Sequence, residues 1–578
     1  MSGQTGMSGT SGMSGKTGPG KAAGRGAGSG TGSDSGSGSA RGGSGAAGGG
    51  PAGGGPADGG SAGGGGTAGG GTAVLDRPEP GPPPGGPAAP RRAVLALARV
   101  EARRLLLHPL VLLALLGYLA FLVWPGGGPE DDYPVLQQAD QETQLGALLI
   151  GLAGLLAANY AVLRARRHGT EAHFGVLVLA EWRRTAAHAL SVVPLALLVA
   201  VVVAGQYARE AARPHAVGNG SFFELATGPV LVLCFGALGV LLGKLVRSAY
   251  AAPMAAMVVI SLTFVIMPTS GAARWLTPLT ADEREAGPLP SDLLGRPADW
   301  HVLYLLGLTL LAAAGALLLS GGHTAFVRAT AAGALVLTVV GAVGQGVGPS
   351  DELTAERERA TRDPAAAQQE CVRHGVTTYC AFPEFTSWTG EWRKVADGVR
   401  ALAGGEAAER RVTVRQRVYA LDESGPGREL LPGPPGEVTA DTTWGGERSL
   451  EFAASYARGL VADDESERAV YCDARSVLIM WLAVNGTPDG EDAFETTQSN
   501  VSGGGATILS PVNAVKMRDR EHGVLRALLD RPREDVAQRV KDSWAELVRP
   551  GTSTERAAGL LGVKAPAETA ADREWNCA

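Results

Sequence analysis

The residues best suited to contact another molecule lie in one polar loop, residues 164–185, between two apolar stretches. It reads Arg-Ala-Arg-Arg-His-Gly-Thr-Glu-Ala-His-Phe-Gly-Val-Leu-Val-Leu-Ala-Glu-Trp-Arg-Arg-Thr. This is longer than a short connection between neighbouring helices requires. The apolar side chains that could pack on a partner protein are Phe174, Val176, Leu177, Leu179 and Trp182. The charged side chains that could surround such a contact are Glu171, Glu181 and the arginines, including Arg183. We interpret the loop as a protein-contact segment.

Catalytic and metal-binding interpretations have less support. His168 and His173 are five residues apart, and no third or fourth ligand is near them in sequence. The chain has no His-Glu-x-x-His motif and no Gly-x-Ser-x-Gly motif in an α/β context. The string ending in Gly15-Lys16-Thr17 is similar to a phosphate-binding loop, but Thr10 occupies the place of its first glycine. We therefore predict no catalytic residue, no metal and no directly bound cofactor.

Apolar stretches on either side of the loop have the length to cross a bilayer, whose core of about 30 Å takes about 20 helical residues. Seven such spans are predicted, near Leu105–Trp124, Leu145–Leu163, Ala186–Gln206, Ala226–Gly243, Tyr250–Met267, His301–Ser320 and Ala325–Val347. The last is the weakest because it is rich in Gly, Ala and Thr. These spans predict a polytopic α-helical membrane domain over residues 91–348.

The basic residues beside the spans predict the orientation of the chain. With a cytoplasmic amino terminus, thirteen basic residues flank the spans on the inside and five on the outside. The first outside loop, residues 125–143, has none and carries Glu130, Asp131 and Asp132. We therefore predict a multi-pass protein of the plasma membrane, with an extracytoplasmic domain after the seventh span.

Ionisable residues inside a membrane usually mark ion or proton pathways, because they are costly to place in hydrocarbon. Within the predicted spans they are almost absent, and His188, Lys244 and Arg328 lie near predicted ends. Coupling to an ion gradient is therefore disfavoured, and energy for transport would have to come from another subunit. Asn159, in the second span, is predicted to bond between helices.

The composition of the first 90 residues sets them apart from the rest. The chain of 578 residues has 84 glycines, many of them in this segment, and is 45% hydrophobic overall. Residues 1–90 contain too few apolar side chains to offset the entropy of ordering, so we predict a disordered Gly/Ser/Ala/Pro-rich tail. Since no methionine occurs between Met13 and Met254, a true start near residue 74 or 94 is an alternative.

Residues 349–578 are predicted to form a mainly α-helical soluble domain. Helical spacing relates Trp388, Trp392, Val395, Val399 and Leu402, and residues 475–484 and 534–548 are further helix candidates. The alternation at residues 412–418 predicts one strand.

The domain contains four of the five cysteines, Cys371, Cys380, Cys472 and Cys577, and an even number is typical of an oxidising compartment. Three pairings are possible; we favour Cys371–Cys380 as a hairpin disulfide and Cys472–Cys577. Four reduced cytosolic thiols are the alternative, and Cys234 is interpreted as a core residue.

The basic segment from Arg91 to Leu105 has two interpretations. Its apolar residues fall mostly on one helical face and its arginines on the other, which is typical of a helix lying in the lipid headgroup layer. The same pattern is expected of a positively charged flank on a long first membrane helix.

Two segments of the chain resemble permeases of the ABC-2 type. They are LARVEARRLLLHPLVLLALL, which leads into the first span, and HGTEAHFGVLVLAEWRRTAAHAL, in the loop. In that family a Gly-Thr pair followed by acidic and apolar residues forms the helix that meets the ATPase subunit, and Gly169, Thr170 and Glu171 match this pattern. The chain departs from it in having arginines where the family often has an acidic residue, and Val178–Ala180 where it often has proline. The segment CVRHGVTTYCAFPEFTSWTGEWRKVADGVRAL resembles a tail of actinobacterial members.

The resemblance covers residues 91 to about 410 and implies six core spans, a dimeric pore and a separate ATPase that uses the ATP. We therefore expect the chain to be the permease subunit of an ATP-driven exporter, with an ABC ATPase, a second permease copy or a related permease, and the lipid bilayer as partners, and no nucleic acid. The predicted coupling residues are Gly169, Thr170, Glu171, Phe174, Leu177, Glu181, Trp182 and Arg183. The alternative is a membrane-anchored sensor or assembly protein with a ligand-binding extracytoplasmic domain.

Overall fold

The computed structural model describes residues 88–123, 133–169, 179–246, 248–266, 277–280, 288–364, 367–419, 430–443, 448–462, 471–498, 505–508, 511–512 and 514–573. They belong to one compact unit, Pro82–Ala578, and are mostly helical. The predicted Gly/Ser/Ala/Pro-rich tail lies almost entirely outside the described residues.

In the described residues up to Gln345, the chain forms nine α-helices. They are α1 (Ala88–Leu106), α2 (Pro109–Val123), α3 (Leu136–Arg167), α4 (Glu181–Leu190), α5 (Val193–Ala211), α6 (Phe222–Leu245), α7 (Ala251–Ile266), α8 (Ala298–Leu319) and α9 (Ala325–Gln345). A 3₁₀ turn, Ser291–Leu293, precedes α8. Each of the seven apolar segments predicted from the sequence falls on one or two of these helices.

Five helical stretches of the described chain are long and apolar enough to cross a membrane: α3, α4 with α5, α6, α8 and α9. The pair α1 and α2 also passes this test, although a bend of 56° separates its two parts, which raises the number to six. The helix α7 is apolar but has only 16 residues, fewer than the roughly 20 that a span takes. The structure thus supports five or six spans, and the predicted number of seven is not confirmed.

The helices α3, α6 and α8 run in the same direction through the centre of this bundle. Gln144 on α3 bonds to Glu224 on α6, and Asn159 bonds to Gly239, so both contacts join residues 80 apart in sequence. The helix α8 runs in the same sense as α6, since Arg296, just before α8, lies 3.9 Å from Glu224 near the start of α6, and Leu241 near the end of α6 faces Gly315 near the end of α8. The helix α9 returns along α8, where His301 at the start of α8 bonds to Gln345 at the end of α9 at 2.9 Å.

The close approach of α3 and α6 depends on a glycine. A Cβ atom at Gly239 would overlap the carbonyl oxygen of Leu155. Asn159 Nδ2 donates to the Gly239 carbonyl at 3.3 Å, which confirms the predicted bond between helices. Small residues at such contacts are typical of membrane helices, because association in lipid depends on close packing.

The C-terminal part contains both helices and strands. Its helices are α10 (Asp351–Arg362), α11 (Thr389–Leu402), α12 (Ser449–Val461), α13 (Ala474–Gly486), α14 (Gly490–Gln498), α15 (Asp519–Leu529), α16 (Arg533–Asp542), α17 (Trp544–Leu547), α18 (Thr554–Leu560) and α19 (Ala570–Arg573). Its strands are β1 (Glu370–His374), β2 (Thr377–Ala381), β3 (Val412–Gln416), β4 (Glu437–Ala440), β5 (Ala506–Ile508) and β6 (Val515–Met517). Two of the three helices predicted from sequence spacing are present as α11 and α13, the third, predicted over residues 534–548, is divided at Ser543 into α16 and α17, and the predicted strand corresponds to β3.

The strands form a four-stranded sheet in the order β1-β2-β3-β4, together with the antiparallel pair β5-β6. The strand β1 pairs antiparallel with β2, whereas β2, β3 and β4 are parallel. Trp388, Trp392 and Val399 are fully buried beneath this sheet, as their helical spacing predicted. The prediction of a mainly helical domain with one strand therefore missed most of the sheet.

The cysteines agree in part with the predicted pairing. Cys371 and Cys380 face each other across the β1-β2 hairpin and form a disulfide. Cys472 is also disulfide-bonded, and its predicted partner, Cys577, lies outside the described residues. Cys234 is a free and buried thiol on α6, as expected of a core residue.

The core of the C-terminal part extends into the segments that lead into the membrane-type helices. Tyr133 and Val135 before α3, Val217 before α6 and Leu289 before α8 belong to the same hydrophobic cluster as Trp388. Val135 and Val217 also form a parallel β-bridge. The predicted boundary between residues 348 and 349 separates the two parts along the sequence. The hydrophobic core of the C-terminal part, however, also includes residues that precede this boundary.

Candidate functional site

The predicted coupling residues lie at one end of the helical bundle, where α3 ends at Arg167, α4 begins at Glu181 and α6 ends at Leu245. We call this the loop end, and the opposite end, where α3, α6 and α8 begin, the tail end. Gly169, two residues after the end of α3, has φ +64°, a left-handed conformation that favours glycine. The predicted coupling residues that lie outside the described residues are Thr170, Glu171, Phe174 and Leu177.

Glu181, Trp182 and Arg183 form the first turn of α4 and are held by neighbouring elements. Glu181 Oε1 accepts from Lys244 Nζ, at the end of α6, at 2.9 Å. Trp182 lies against the turn between α8 and α9, where a Cβ at Gly322 would be 3.0 Å from the Trp182 Cβ. The Arg183 guanidinium is 5.2 Å from the centre of the Trp182 ring. The structure thus brings together three of the residues predicted from the sequence.

The rest of α4 connects the loop to the helices around it. The Thr185 and Ser320 hydroxyls are 2.8 Å apart and join α4 to the end of α8. The helix α4 packs most closely against α1 and also contacts α3, α6 and α8. A displacement of α4 would therefore change its contacts with four other helices.

A buried carboxylate at the loop end, Glu101 on α1, was missed by the sequence analysis. Its side chain is 3% exposed, and its Oε1 accepts from Arg164 Nη2 on α3 at 2.6 Å and from Arg104 Nη1 at 3.2 Å. The only signal in the sequence is a single acidic residue in a run of arginines, ARVEARR. Since charge-assisted hydrogen bonds are among the stronger ones, Glu101 ties α1 to the end of α3.

The structure also bears on the two interpretations of the basic first segment. Because of the 56° bend, α1 and α2 do not form one straight helix. The buried face of α1 consists of Ala98, Glu101, Ala102 and Leu105. Its arginines at positions 91, 92, 99, 103 and 104 are exposed. The helix α1 is therefore an amphipathic element packed mainly against α4, with its basic face exposed.

A second cluster of charged residues, at the tail end, corrects the expectation that ionisable groups are almost absent from the spans. Asp140 on α3 and Glu224 on α6 are both completely buried within helices long enough to cross a membrane. Asp140 Oδ1 accepts from Arg296 Nη1 at 2.8 Å, and Asp140 Oδ2 accepts from the Ser221 backbone N–H at 2.7 Å. The helices begin earlier than predicted, and this places both carboxylates inside them.

Polar side chains complete this cluster. Glu224 Oε2 accepts from Gln144 Nε2 at 2.5 Å and from the Thr280 hydroxyl at 2.7 Å, and Gln144 Oε1 accepts from the Thr280 backbone N–H at 3.0 Å. The cluster therefore links the starts of α3 and α6 with the segment around Thr280 and with Arg296, which precedes α8. Buried polar groups that are hydrogen-bonded in this way fix the relative positions of their helices.

The residues described by the structure include no group of three His, Cys, Asp or Glu side chains arranged to hold a metal ion. His168 follows α3 directly, and His173 lies outside the described residues. No protein-family model, curated protein or solved structure matches the chain.

Proposed function

We propose that this chain is the membrane-spanning permease subunit of an ATP-driven exporter, similar to ABC-2 permeases, which works with a separate ATPase. Its own residues would bind no cofactor, and the ATP would be used by the partner subunit. Two copies, or one copy and a related permease, would form the path through the plasma membrane.

The observation that carries this proposal is the way the loop end is built. The loop between α3 and α4 is bounded by Arg164, which is bonded to Glu101 on α1, and by Glu181, which is bonded to Lys244 on α6. A partner that pushes on the loop would therefore move α1, α3, α4 and α6 together. This is the property required of a segment that transmits force from a motor subunit.

The proposed orientation places the loop end in the cytoplasm and the tail end outside. The exposed arginines of α1 and the three in the last turn of α3 lie at the loop end, as the positive-inside rule expects of a cytoplasmic face. The disulfide Cys371–Cys380 belongs to the part of the chain that packs at the tail end, and disulfides persist in oxidising compartments.

Co-purification from the native membrane would test the proposal. The full chain should bring down an ATPase whose activity in lipid nanodiscs depends on the chain. Trp182→Ala should lower that activity at least about tenfold, because Trp182 holds the start of α4 against the turn between α8 and α9 and its loss would disturb the loop that meets the ATPase. The matched control is Trp300→Ala, since Trp300 is a half-exposed tryptophan at the tail end, on α8.

If no ATPase accompanies the chain, or if both tryptophan variants behave alike, the permease proposal is wrong. A chain that captures no ATPase but changes its protease sensitivity when an external ligand binds would be the alternative, a membrane-anchored sensor.

The proposed orientation has its own test: a carboxyl-terminal tag should react with a membrane-impermeant reagent in intact cells. A tag that reacts only after lysis would place the C-terminal part in the cytosol.

A further inference from the structure

The three central helices have their amino-terminal ends close together at the tail end. Since α3, α6 and α8 run in parallel, the segments that precede them meet at this end. The Leu136 N–H donates to the Val217 carbonyl at 2.8 Å, and the Val217 N–H donates to the Pro134 carbonyl at 3.0 Å. The segments before α3 and α6 are thus paired, and the 3₁₀ turn at Ser291 brings the segment before α8 near them.

One carboxylate of the C-terminal part contacts all three segments. Glu384 Oε2 accepts from Gln137 Nε2, in the first turn of α3, at 3.2 Å and from the Ser291 backbone N–H at 3.0 Å. Glu384 Oε1 accepts from Asn219 Nδ2, just before α6, at 3.2 Å. A carboxylate has sites for about four such bonds, so one side chain can hold three segments at once.

The turn that carries Glu384 is itself firmly placed. Glu384 lies in the 3₁₀ helix Pro383–Trp388, whose Phe385 and Trp388 side chains are completely buried. Trp388 Nε1 donates to the His215 carbonyl at 2.8 Å, and the Trp388 ring packs edge-on against Tyr133. His215 has φ +60°, a conformation that costs energy for a residue other than glycine and that persists only when its surroundings hold it.

We propose that Glu384 is a latch by which the C-terminal part holds the starts of α3, α6 and α8 together. We define the Glu384 latch as Glu384 with Gln137, Asn219 and Ser291. These bonds act together with those of Asp140 to Arg296 and to the Ser221 N–H, which join the same three helix starts from within the bundle. The helix starts can move apart only if bonds of both kinds break. The C-terminal part thereby restrains opening of the bundle at the tail end. This inference goes beyond the proposed permease function and holds whether or not an ATPase binds the loop end.

Backbone hydrogen exchange of the full chain in lipid nanodiscs, followed by mass spectrometry, tests the latch. Glu384→Gln keeps the shape of the side chain but removes its charge. It should raise exchange about tenfold or more in residues 133–140, 215–221 and 288–296 together, because hydrogen bonds to a charged group are the stronger kind. Exchange in residues 477–484, in the core of α13, should be unchanged. The matched control is Glu391→Gln, since Glu391 is on the same part of the chain and pairs with Lys394 in the same helix.

A second variant keeps the test decisive if Glu384→Gln also loosens the core of α13. Asn219 is exposed, so Asn219→Asp should fold normally while placing a negative charge opposite Glu384. It should increase exchange in the same three segments, and that increase should vanish in the double variant with Glu384→Gln, in which the repulsion is absent. The latch is overturned if Asn219→Asp affects residues 215–221 alone, or if Glu384→Gln matches Glu391→Gln in all three segments. Neither result bears on the permease proposal, whose test concerns the loop end.

Discussion

Glu101 on α1 and Arg164 near the end of α3 are joined by an ion pair of 2.6 Å in which the two partners differ in exposure. The Glu101 side chain is 3% exposed and the Arg164 side chain 33%. The Glu101 carboxylate is shielded from solvent and is therefore stabilised by its hydrogen-bond partners, whereas the Arg164 guanidinium is still partly exposed. Removing one member of this pair is not equivalent to removing the other.

We predict that Arg164→Gln destabilises the protein more than Glu101→Gln. The first change removes the shorter of the two ion pairs of a buried carboxylate. Leaving a buried charge without a partner costs about 3–5 kcal/mol, and Arg164→Gln should cost less than this because Arg104 still bonds to Glu101. The second change removes the buried charge itself, so it should cost about 1 kcal/mol. The measurement is the thermal unfolding midpoint of the full chain in detergent. Arg99→Gln, on the exposed face of α1, is the control, and equal losses from the two test variants would contradict the prediction.

A second prediction concerns the packing of α3 against α6. Gly239→Ala places a methyl group where the Leu155 carbonyl oxygen lies, so the helices must separate. Such overpacking typically costs about 1–3 kcal/mol. Gly333→Ala on α9 is the matched control, because a Cβ at Gly333 has no neighbour within 4 Å among the described atoms. The unfolding midpoint should fall for Gly239→Ala and stay or rise slightly for Gly333→Ala. A similar midpoint for both would mean that the close approach is not needed.

The positions of the membrane-type helices could be predicted from the sequence because each contains a long apolar run. Their starts could not be, because a hydropathy pattern ends where polar residues begin. The first turns of α3 read LQQADQETQ, and nothing in that string shows that Asp140 and Gln144 are buried. Their burial follows from the contacts of Gln144 with Glu224, 80 residues away, and of Asp140 with Arg296, 156 residues away.

The candidate site was predictable to a similar extent. The loop was identified from its length and its mixture of residues, and its role as a coupling segment stays a prediction. Glu101 was missed because a lone carboxylate among arginines has the pattern of an exposed salt-bridge partner. In the C-terminal part, β2 was missed because its residues, Thr-Thr-Tyr-Cys-Ala, do not alternate between apolar and polar as those of β3 do. The strand β4 was missed because four residues are too few to show a pattern.

A third prediction concerns the disulfide of the β1-β2 hairpin. Cys371→Ser with Cys380→Ser removes a cross-link between residues 9 apart in sequence. A loop of this length is expected to contribute about 2–3 kcal/mol, mainly through the unfolded chain. The double variant should therefore unfold at a lower temperature and be cut more readily by protease near β1, an exposed strand at the edge of the sheet. Protein isolated from cells with these two thiols free to alkylate would instead show that the hairpin does not reside in an oxidising compartment.

The last prediction concerns pH and the carboxyl group of Glu451 on α12. Burial raises the pKa of Glu451 from 4.5 to about 7, with Arg448 opposing the shift and the Asp441 carboxylate adding to it. Asp441 is itself held by the hydroxyls of Tyr419 at 2.9 Å and Thr443 at 2.8 Å. Between these two pKa values the folded protein keeps a proton on Glu451 that the unfolded chain has lost. Raising the pH from about 4.5 to about 7 therefore reduces the free energy of unfolding, by up to about 3 kcal/mol from this group.

Glu451→Gln removes this titration while keeping the size of the side chain. The variant should match the unmodified chain at pH 5, where Glu451 is protonated and neutral, and should be more stable at pH 8, where it is ionised. The measurement is the unfolding midpoint of the full chain in detergent at several pH values. The control is Glu409→Gln, since Glu409 is an exposed carboxylate on the same part of the chain, and it should not alter the pH dependence. A Glu451→Gln variant that is less stable than the unmodified chain at pH 8 would show that the ionised carboxylate is a favourable partner for Arg448, and would reverse the assigned direction.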